Sequence, residues 1–239
     1  MDNKTEILKV VVGSQAHGLA GPQSDFDYRG VFVVPTSEIL KIGGHTNNTN
    51  WIEGKEDNTS WEIGHFLNLA THCNPTILET FLAPEVEKEI DTSNGIMINQ
   101  NSYGKQLREL FPYVWNSTDV MNAFIGYGLN QRKKFFDDKD KRASKYAVAY
   151  LRTLYQGWEL LSTGTFTVHI VDTEIGETLK TWKAMDSKEI LEKHSGDVID
   201  KCIYWERKVR EAYAKNPDKK TVIEPVNDFL LKVRKEFWK

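Results

Sequence analysis

Residues 7–34 read ILKVVVGSQAHGLAGPQSDFDYRGVFVV, two apolar runs that flank a segment of small residues. The first run ends at Gly13-Ser14, and the second opens with Asp25 and Asp27, two carboxylates spaced i, i+2. Side chains alternate between faces along a strand, so this spacing predicts that both carboxylates point the same way. Like charges this close repel unless cations lie between them. Hard divalent cations prefer carboxylate oxygens, and the pair therefore predicts a site for two Mg²⁺ ions, with Mn²⁺ as a substitute.

Gly13 and Ser14 predict a phosphate-binding turn opposite the carboxylates. A glycine turn after a strand lets backbone N–H groups face a phosphate, and Ser14 adds a hydroxyl donor. Two metal ions about 3.5–4 Å apart can activate an attacking oxygen and stabilise a leaving phosphate oxygen. The combination predicts that a nucleoside triphosphate is held by its phosphates against a metal pair.

At these residues the chain resembles the nucleotidyltransferases of the DNA polymerase beta superfamily, and more narrowly the branch associated with RNA repair pathways. The resemblance implies a transferase that moves an NMP from an NTP to an acceptor hydroxyl and releases pyrophosphate. It implies RNA, such as a tRNA end, as the acceptor class. The matching segments are Gly13–Ala20, Ser24–Val31, Asn74–Glu79, Leu151-Arg152, Asn216–Asp218 and Val226–Leu230.

The resemblance also implies a third catalytic carboxylate beside Asp25 and Asp27, which completes one metal site and helps to deprotonate the acceptor hydroxyl. We assign this role to Asp57, because it precedes a strand-to-helix passage at Thr59–Phe66. Glu62 is the alternative.

Several charged side chains are candidates for the surroundings of the site. Arg29 follows Asp27 on the same strand face, where it can hold the carboxylates by ion pairing or reach a phosphate. Lys145 and Arg152 are seven residues apart and share a helix face, where they either bind the triphosphate or an RNA backbone or belong to a solvated, basic helix end. Glu79 either supports the site or pairs with a Lys or Arg. His17 lies within the turn, either touching a phosphate or base or forming part of the rim.

The pattern along the chain predicts an α+β fold. We expect a small mixed β-sheet with flanking helices in a catalytic unit at residues 1–100, packed on a mostly helical unit at residues 101–239. Strands are predicted at Leu8–Val12, Phe26–Val34 and Thr59–Ile63, a polar loop at Gly43–Asn50, and helices at Glu62–Thr71, Pro75–Phe81, Asp119–Phe136, Ala143–Leu161, Glu174–Met185, Ser187–Tyr213 and Val222–Trp238.

The net charge gives no support for or against a nucleic-acid substrate. A net charge of −3 over 239 residues is not the strongly basic balance of many nucleic-acid binders. Two alternatives therefore stay open: an AMP- or UMP-transferase acting on protein hydroxyls, and a non-catalytic nucleotide- or partner-binding module such as a toxin–antitoxin component.

Cysteine usage and hydropathy point to a cytoplasmic protein. Cys73 and Cys202 are the only cysteines and form no zinc-ligand cluster, so we expect two reduced, buried thiols. The chain opens with no signal peptide, and no apolar run has membrane-spanning length, so we expect no membrane partner. The sequence does not set the oligomeric state.

Overall fold

The sheet is mixed and has four strands. The computed structural model describes residues 4–42, 49–52, 58–86 and 100–239. The strand order is β1-β2-β4-β3, with β1 antiparallel to β2, β2 parallel to β4, and β4 antiparallel to β3. The strands are β1 (Thr5–Val12), β2 (Asp27–Val33), β3 (Thr49–Ile52) and β4 (Asn58–Glu62).

Three of these strands confirm the predicted ones, since their sequences are rich in Val, Phe, Tyr and Trp, which suit a pleated surface. β3 corrects the prediction of a loop at Gly43–Asn50. The last two residues of that range begin β3, and its other residues lie outside the described part of the chain.

The helices pack around the sheet and against each other, which confirms the predicted α+β class. Every predicted helix is present, with ends within two residues of the predicted ones, and α1, α2, α5 and α6 were not predicted. The helices are α1 (Gly13–Ala16), α2 (Thr36–Ile39), α3 (Ile63–Thr71), α4 (Pro75–Leu82), α5 (Gln100–Arg108), α6 (Phe111–Val114), α7 (Ser117–Asp137), α8 (Ala143–Thr163), α9 (Gly176–Ala184), α10 (Ser187–Lys215) and α11 (Ile223–Glu236).

Local caps fix several helix ends. The Asn74 side chain accepts from the N–H groups of Thr76 and Ile77 at the start of α4. At the start of α10, the Asp186 side chain accepts from the N–H of Glu189, at 2.8 Å. Helix α8 ends at Gly164, whose φ of 74° is left-handed.

The core is one hydrophobic cluster that extends across residue 100. Helix α8 lies at its centre, packed between α7 and α10, with Ala147, Leu151 and Leu154 fully buried. Helix α5 packs on β1 so closely that a Cβ added to Gly104 would lie 2.5 Å from the Ile7 carbonyl oxygen. The division into units at residues 1–100 and 101–239 stays a prediction.

The last helix returns to the first half of the chain. Both guanidinium nitrogens of Arg234 in α11 bind the Glu62 carboxylate, at 2.7 and 2.8 Å. The Phe237 carbonyl accepts from the N–H of Thr36, at 2.7 Å. α11 is therefore fastened to the end of β4 and to the start of α2.

The two cysteines are free and buried, as predicted. Burial raises the pKa of the Cys73 thiol to about 12. Among the described residues, no helix combines the length and apolar character needed to cross a membrane.

Candidate active site

The Gly13 turn lies directly against the Asp27 carboxylate. β1 ends at Val12, which is paired with Asp27 at the start of β2. Gly13 has a φ of 65°, and a Cβ added there would overlap Oδ2 of Asp27. Only glycine combines this backbone conformation with such a close approach. The turn continues into α1, where the half-buried Ser14 lies beside Gly13.

The two candidate metal-binding aspartates lie at the same end of the sheet. Asp27 is the first residue of β2 and is half-buried, whereas Asp25 lies just before the strand and is exposed. The segment that leads into Asp25 is tied to α1, because the Gln15 amide donates to the Ser24 carbonyl, at 3.2 Å. This bond holds the approach to Asp25 beside the Gly13 turn.

Asp57, the predicted third carboxylate, lies outside the described residues, but Asn58, the next residue in the chain, lies within them. Asn58, which follows Asp57, pairs with Tyr28, which follows Asp27. The described residues contain no group of three or more His, Cys, Asp or Glu side chains arranged to hold a metal. Any complete three-carboxylate site therefore includes residues beyond the described ranges.

Glu62, the alternative third carboxylate, lies far from Asp27. It pairs with Phe32, five residues along β2 from Asp27, which is about 16 Å at the rise of a strand. Its side chain is buried, is bound by Arg234, and caps α3 by accepting from the N–H of Gly64, at 2.7 Å. Glu62 thus joins β4, α3 and α11.

Glu79 is the centre of a charged cluster beside Asp27. This residue of α4 is buried, and its carboxylate lies 2.7 Å from Nε2 of His17. The guanidinium groups of Arg152 and Arg29 lie 3.4 and 3.8 Å from the same carboxylate. Because Arg29 shares the β2 face of Asp27, the cluster brings two guanidinium groups to the carboxylate end of the sheet.

The protonation states of Glu79 and His17 depend on their burial and on the charges around them. Burial alone would raise the pKa of Glu79, but Arg152, His17 and Arg29 outweigh it and lower the pKa, so the group is a carboxylate. Burial, together with the Arg152 charge, lowers the pKa of His17. At neutral pH His17 is therefore an uncharged donor to Glu79. Two guanidinium charges against one carboxylate leave a surplus positive charge beside Asp27.

Arg152 and Lys145 share α8 but occupy different parts of the site. Arg152 donates to the Gln156 side chain at 3.0 Å, and Gln156 donates to the Thr167 carbonyl at 2.9 Å, so the guanidinium is held in place. Lys145 is exposed on the first turn of α8. Its charge acts on Lys183, whose pKa is lowered mainly by burial and also by repulsion from Lys145.

Lys183 was not found from the sequence. Its ammonium group donates to the Leu19 carbonyl, at 2.6 Å, just beyond the Gly13 turn. The local sequence around Lys183 could not predict this contact, because Leu19 is 164 residues away in the chain.

Gly18 was part of the sequence motif, but the reason for its presence emerges only from the fold. Its φ is 72°, and an added Cβ would lie 2.5 Å from both Nε2 of His169 and Cγ1 of Val171. The Val171 N–H also donates to the His17 carbonyl, at 3.2 Å. The segment around His169 therefore closes over the end of the turn.

One protein-family model matches most of the chain. The model of the RlaP family, described as the RNA repair pathway DNA polymerase beta family, matches residues 3–232. An uncharacterized 38.9 kDa protein from the nrdC–mobD intergenic region of Enterobacteria phage T4 is 27% identical over 138 residues. Those residues cover 54% of this chain but 38% of the phage protein, so the likeness spans less than two thirds of that relative.

Proposed function

The chain belongs to the RNA repair pathway DNA polymerase beta family, a branch of the nucleotidyltransferases, and from this membership we propose a Mg²⁺-dependent transfer of an NMP from an NTP to RNA. The main support for this activity is the contact between the Gly13 turn and the Asp27 carboxylate. It places a phosphate-binding backbone and a metal-binding oxygen side by side.

The donor set suits Mg²⁺. Asp25 and Asp27 offer hard carboxylate oxygens, and both retain exposure to solvent, so an ion and its waters can reach them. Asp57 is the proposed third ligand, since the residue after it pairs with the residue after Asp27. When bound, Mg²⁺ or Mn²⁺ supplies positive charge to the attacking and leaving oxygens.

The chain's own residues bind and orient the reactants. The N–H groups of the turn and the Ser14 hydroxyl hold the triphosphate, and Lys145 and Lys183 add positive charge at the far end of the turn. Arg29 and Arg152 are held by Glu79 at the carboxylate end of the sheet, where they balance the charge of the phosphates and of Asp27.

The reaction is an in-line displacement. The acceptor hydroxyl oxygen forms a bond to the α-phosphorus, and the bond from that phosphorus to the α–β bridging oxygen breaks. Pyrophosphate leaves with the bonding electrons, and the hydroxyl proton passes to a carboxylate, for which we propose Asp57. The RNA gains one nucleotide at its acceptor hydroxyl.

Labelling tests this activity. The protein is incubated with each labelled NTP, Mg²⁺ or Mn²⁺ and total RNA, and Asp27→Asn is compared with Asp200→Asn, an exposed aspartate on α10. We expect wild type and Asp200→Asn to label RNA, and Asp27→Asn to lose roughly 100-fold or more of the rate. Equal labelling by Asp27→Asn would contradict the assignment to this site.

The same incubation with cellular protein in place of RNA tests the two alternative functions. Label on Ser, Thr or Tyr hydroxyls of proteins, with none on RNA, would indicate an AMP- or UMP-transferase instead. Saturable NTP binding with no transfer to either acceptor would indicate a non-catalytic binding module.

A further inference from the structure

An exposed aromatic residue stands between the two candidate metal-binding aspartates in the sequence. Phe26 is 50% exposed, although its chain neighbours are Asp25 and Asp27. Its ring stacks on Tyr28 with centroids 6.3 Å apart and an angle of 17° between the planes. The ammonium group of Lys9 lies 4.5 Å from the centre of the Tyr28 ring. We call Phe26, Tyr28 and Lys9 the aromatic platform.

The aromatic platform lies on one sheet face and Asp27 on the other. Side chains alternate along β2, so Tyr28 points away from the face of Asp27 and Arg29. Lys9 in β1 is opposite Gly30 and shares the face of Tyr28, which explains its position over the ring. The platform and Asp27 are therefore separated only by the end of one strand.

The three side chains match the chemistry of a single-stranded nucleotide. Exposed rings bind bases by stacking, and every base offers a flat face for that contact. A lysine held over the ring adds a cation for the phosphate. Exposed apolar side chains are common, but a stacked pair with a cation beside two carboxylates is a more specific arrangement.

We infer that the aromatic platform binds the acceptor end of a single-stranded RNA, an assignment that rests on the proposed function for its link to transfer. The base next to the terminal nucleotide stacks on Phe26, and Lys9 contacts a neighbouring phosphate. The terminal nucleotide passes over the end of β2 toward Asp25 and Asp27.

Fluorescence anisotropy with a labelled single-stranded RNA oligonucleotide tests this binding. We expect Phe26→Ala to weaken binding roughly 5- to 100-fold, and Phe26→Trp to retain it, because the larger ring still stacks. Lys9→Gln should weaken binding and reduce the salt dependence by about one phosphate contact.

Matched controls separate stacking from general effects. Phe136→Ala removes an equally exposed ring, 52% accessible at the end of α7, and should leave RNA binding unchanged. Duplex RNA of the same sequence should bind more weakly, since its bases are already paired and stacked. Thermal unfolding of each variant reports on folding, and if Phe26→Ala melts early, Lys9→Gln and Phe26→Trp decide the result.

The outcomes distinguish this site from the proposed activity. Wild-type affinity in both Phe26→Ala and Lys9→Gln, or no RNA binding by wild type, would overturn the platform, even if NMP transfer to RNA is observed. RNA binding that depends on Phe26, in a protein that transfers no NMP, would support the platform and contradict the proposed activity.

Discussion

At the level of single residues, the Gly13–Asp27 contact explains why a glycine directly follows β1. The backbone turns with a positive φ there, and the carboxylate occupies the space where any side chain would begin. Peptide N–H groups and a carboxylate are thereby brought within one turn of each other. The proposed phosphate-binding turn and the proposed metal-binding carboxylate can thus lie this close only because Gly13 has no side chain.

Gly13→Ala should abolish most NMP transfer and leave the fold largely intact. The added Cβ meets Oδ2 of Asp27. The alanine must also keep the left-handed backbone conformation of Gly13, which costs about 1–2 kcal/mol. A displacement of Asp27 by about 1 Å would lower the transfer rate roughly 100-fold. Transfer assays and urea unfolding measure the two effects.

Gly126→Ala is the matched control for this substitution. Gly126 lies inside α7 with nothing within 4 Å of an added Cβ, so Ala should stabilise the helix by about 0.5–1 kcal/mol and leave transfer unchanged. Wild-type transfer by Gly13→Ala would show that Asp27 does not need its present position.

At the level of elements, the pairing of α11 with β4 shows how the end of the described chain supports the sheet. The Glu62 carboxylate is buried and accepts from Arg234 and from the N–H of Gly64. Its role is to join three elements, and this explains a buried acidic residue at the end of β4.

Arg234→Ala should lower the free energy of unfolding by about 2–5 kcal/mol, because it leaves Glu62 buried without its partner. Arg210→Ala removes an exposed i, i+4 partner of Glu206 and should cost less than about 0.5 kcal/mol. Urea unfolding of both variants gives the comparison. Equal effects would mean that the Glu62 pair adds no more than a surface pair.

The sequence predicted the elements whose local signals agree. The helix of α8 has an apolar stripe and a terminal Gly164, and α4 has Asn74 as its cap and Pro75 in its first turn. By contrast, α5 is polar and contains Gly104, which local propensity disfavours in a helix. Its helical state depends on packing against β1, and no local pattern carries that information.

At the level of the whole molecule, the Glu79 cluster joins parts that are distant in the chain. It links the end of α1, strand β2, helix α4 and helix α8 through His17, Arg29, Glu79 and Arg152. Protonation of Glu79 or His17 should therefore change the free energy of unfolding of the whole protein.

Acidification should destabilise the protein in two stages. The folded pKa of His17 is below its ordinary 6.5, so the unfolded state binds more protons below pH 6.5, and unfolding becomes easier as the pH falls. The folded pKa of Glu79 is below its ordinary 4.5, which adds a further loss below pH 4.5. Urea midpoints between pH 7.5 and 2.5 follow both stages.

His17→Gln isolates the first stage. Its amide can still donate to Glu79 but does not titrate, so the decrease between about pH 6.5 and 5 should be smaller than in wild type. The later loss from Glu79 should remain. His72→Gln, which replaces an exposed histidine that follows α3, is the matched control substitution. An unchanged slope in His17→Gln would exclude His17 as the source.

The candidate site could be predicted only in part. Gly13 and Asp27 were found together because the motif places one directly after the first predicted strand and the other in the second. The pairing of Glu79 with Arg152 bridges 73 residues, and that of Lys183 with Leu19 bridges 164. Charged residues are frequent along the chain, and only the tertiary fold selects which of them meet.

The close packing of α5 on β1 limits how the sheet can move. With the Gly104 backbone seated on the Ile7 carbonyl, there is no clearance for that helix to slide or swing along the strand. A hinge that opens the sheet away from α5 would have to break this contact. We therefore expect α5 to stay fixed on β1 when a ligand binds at the Gly13 end of that strand.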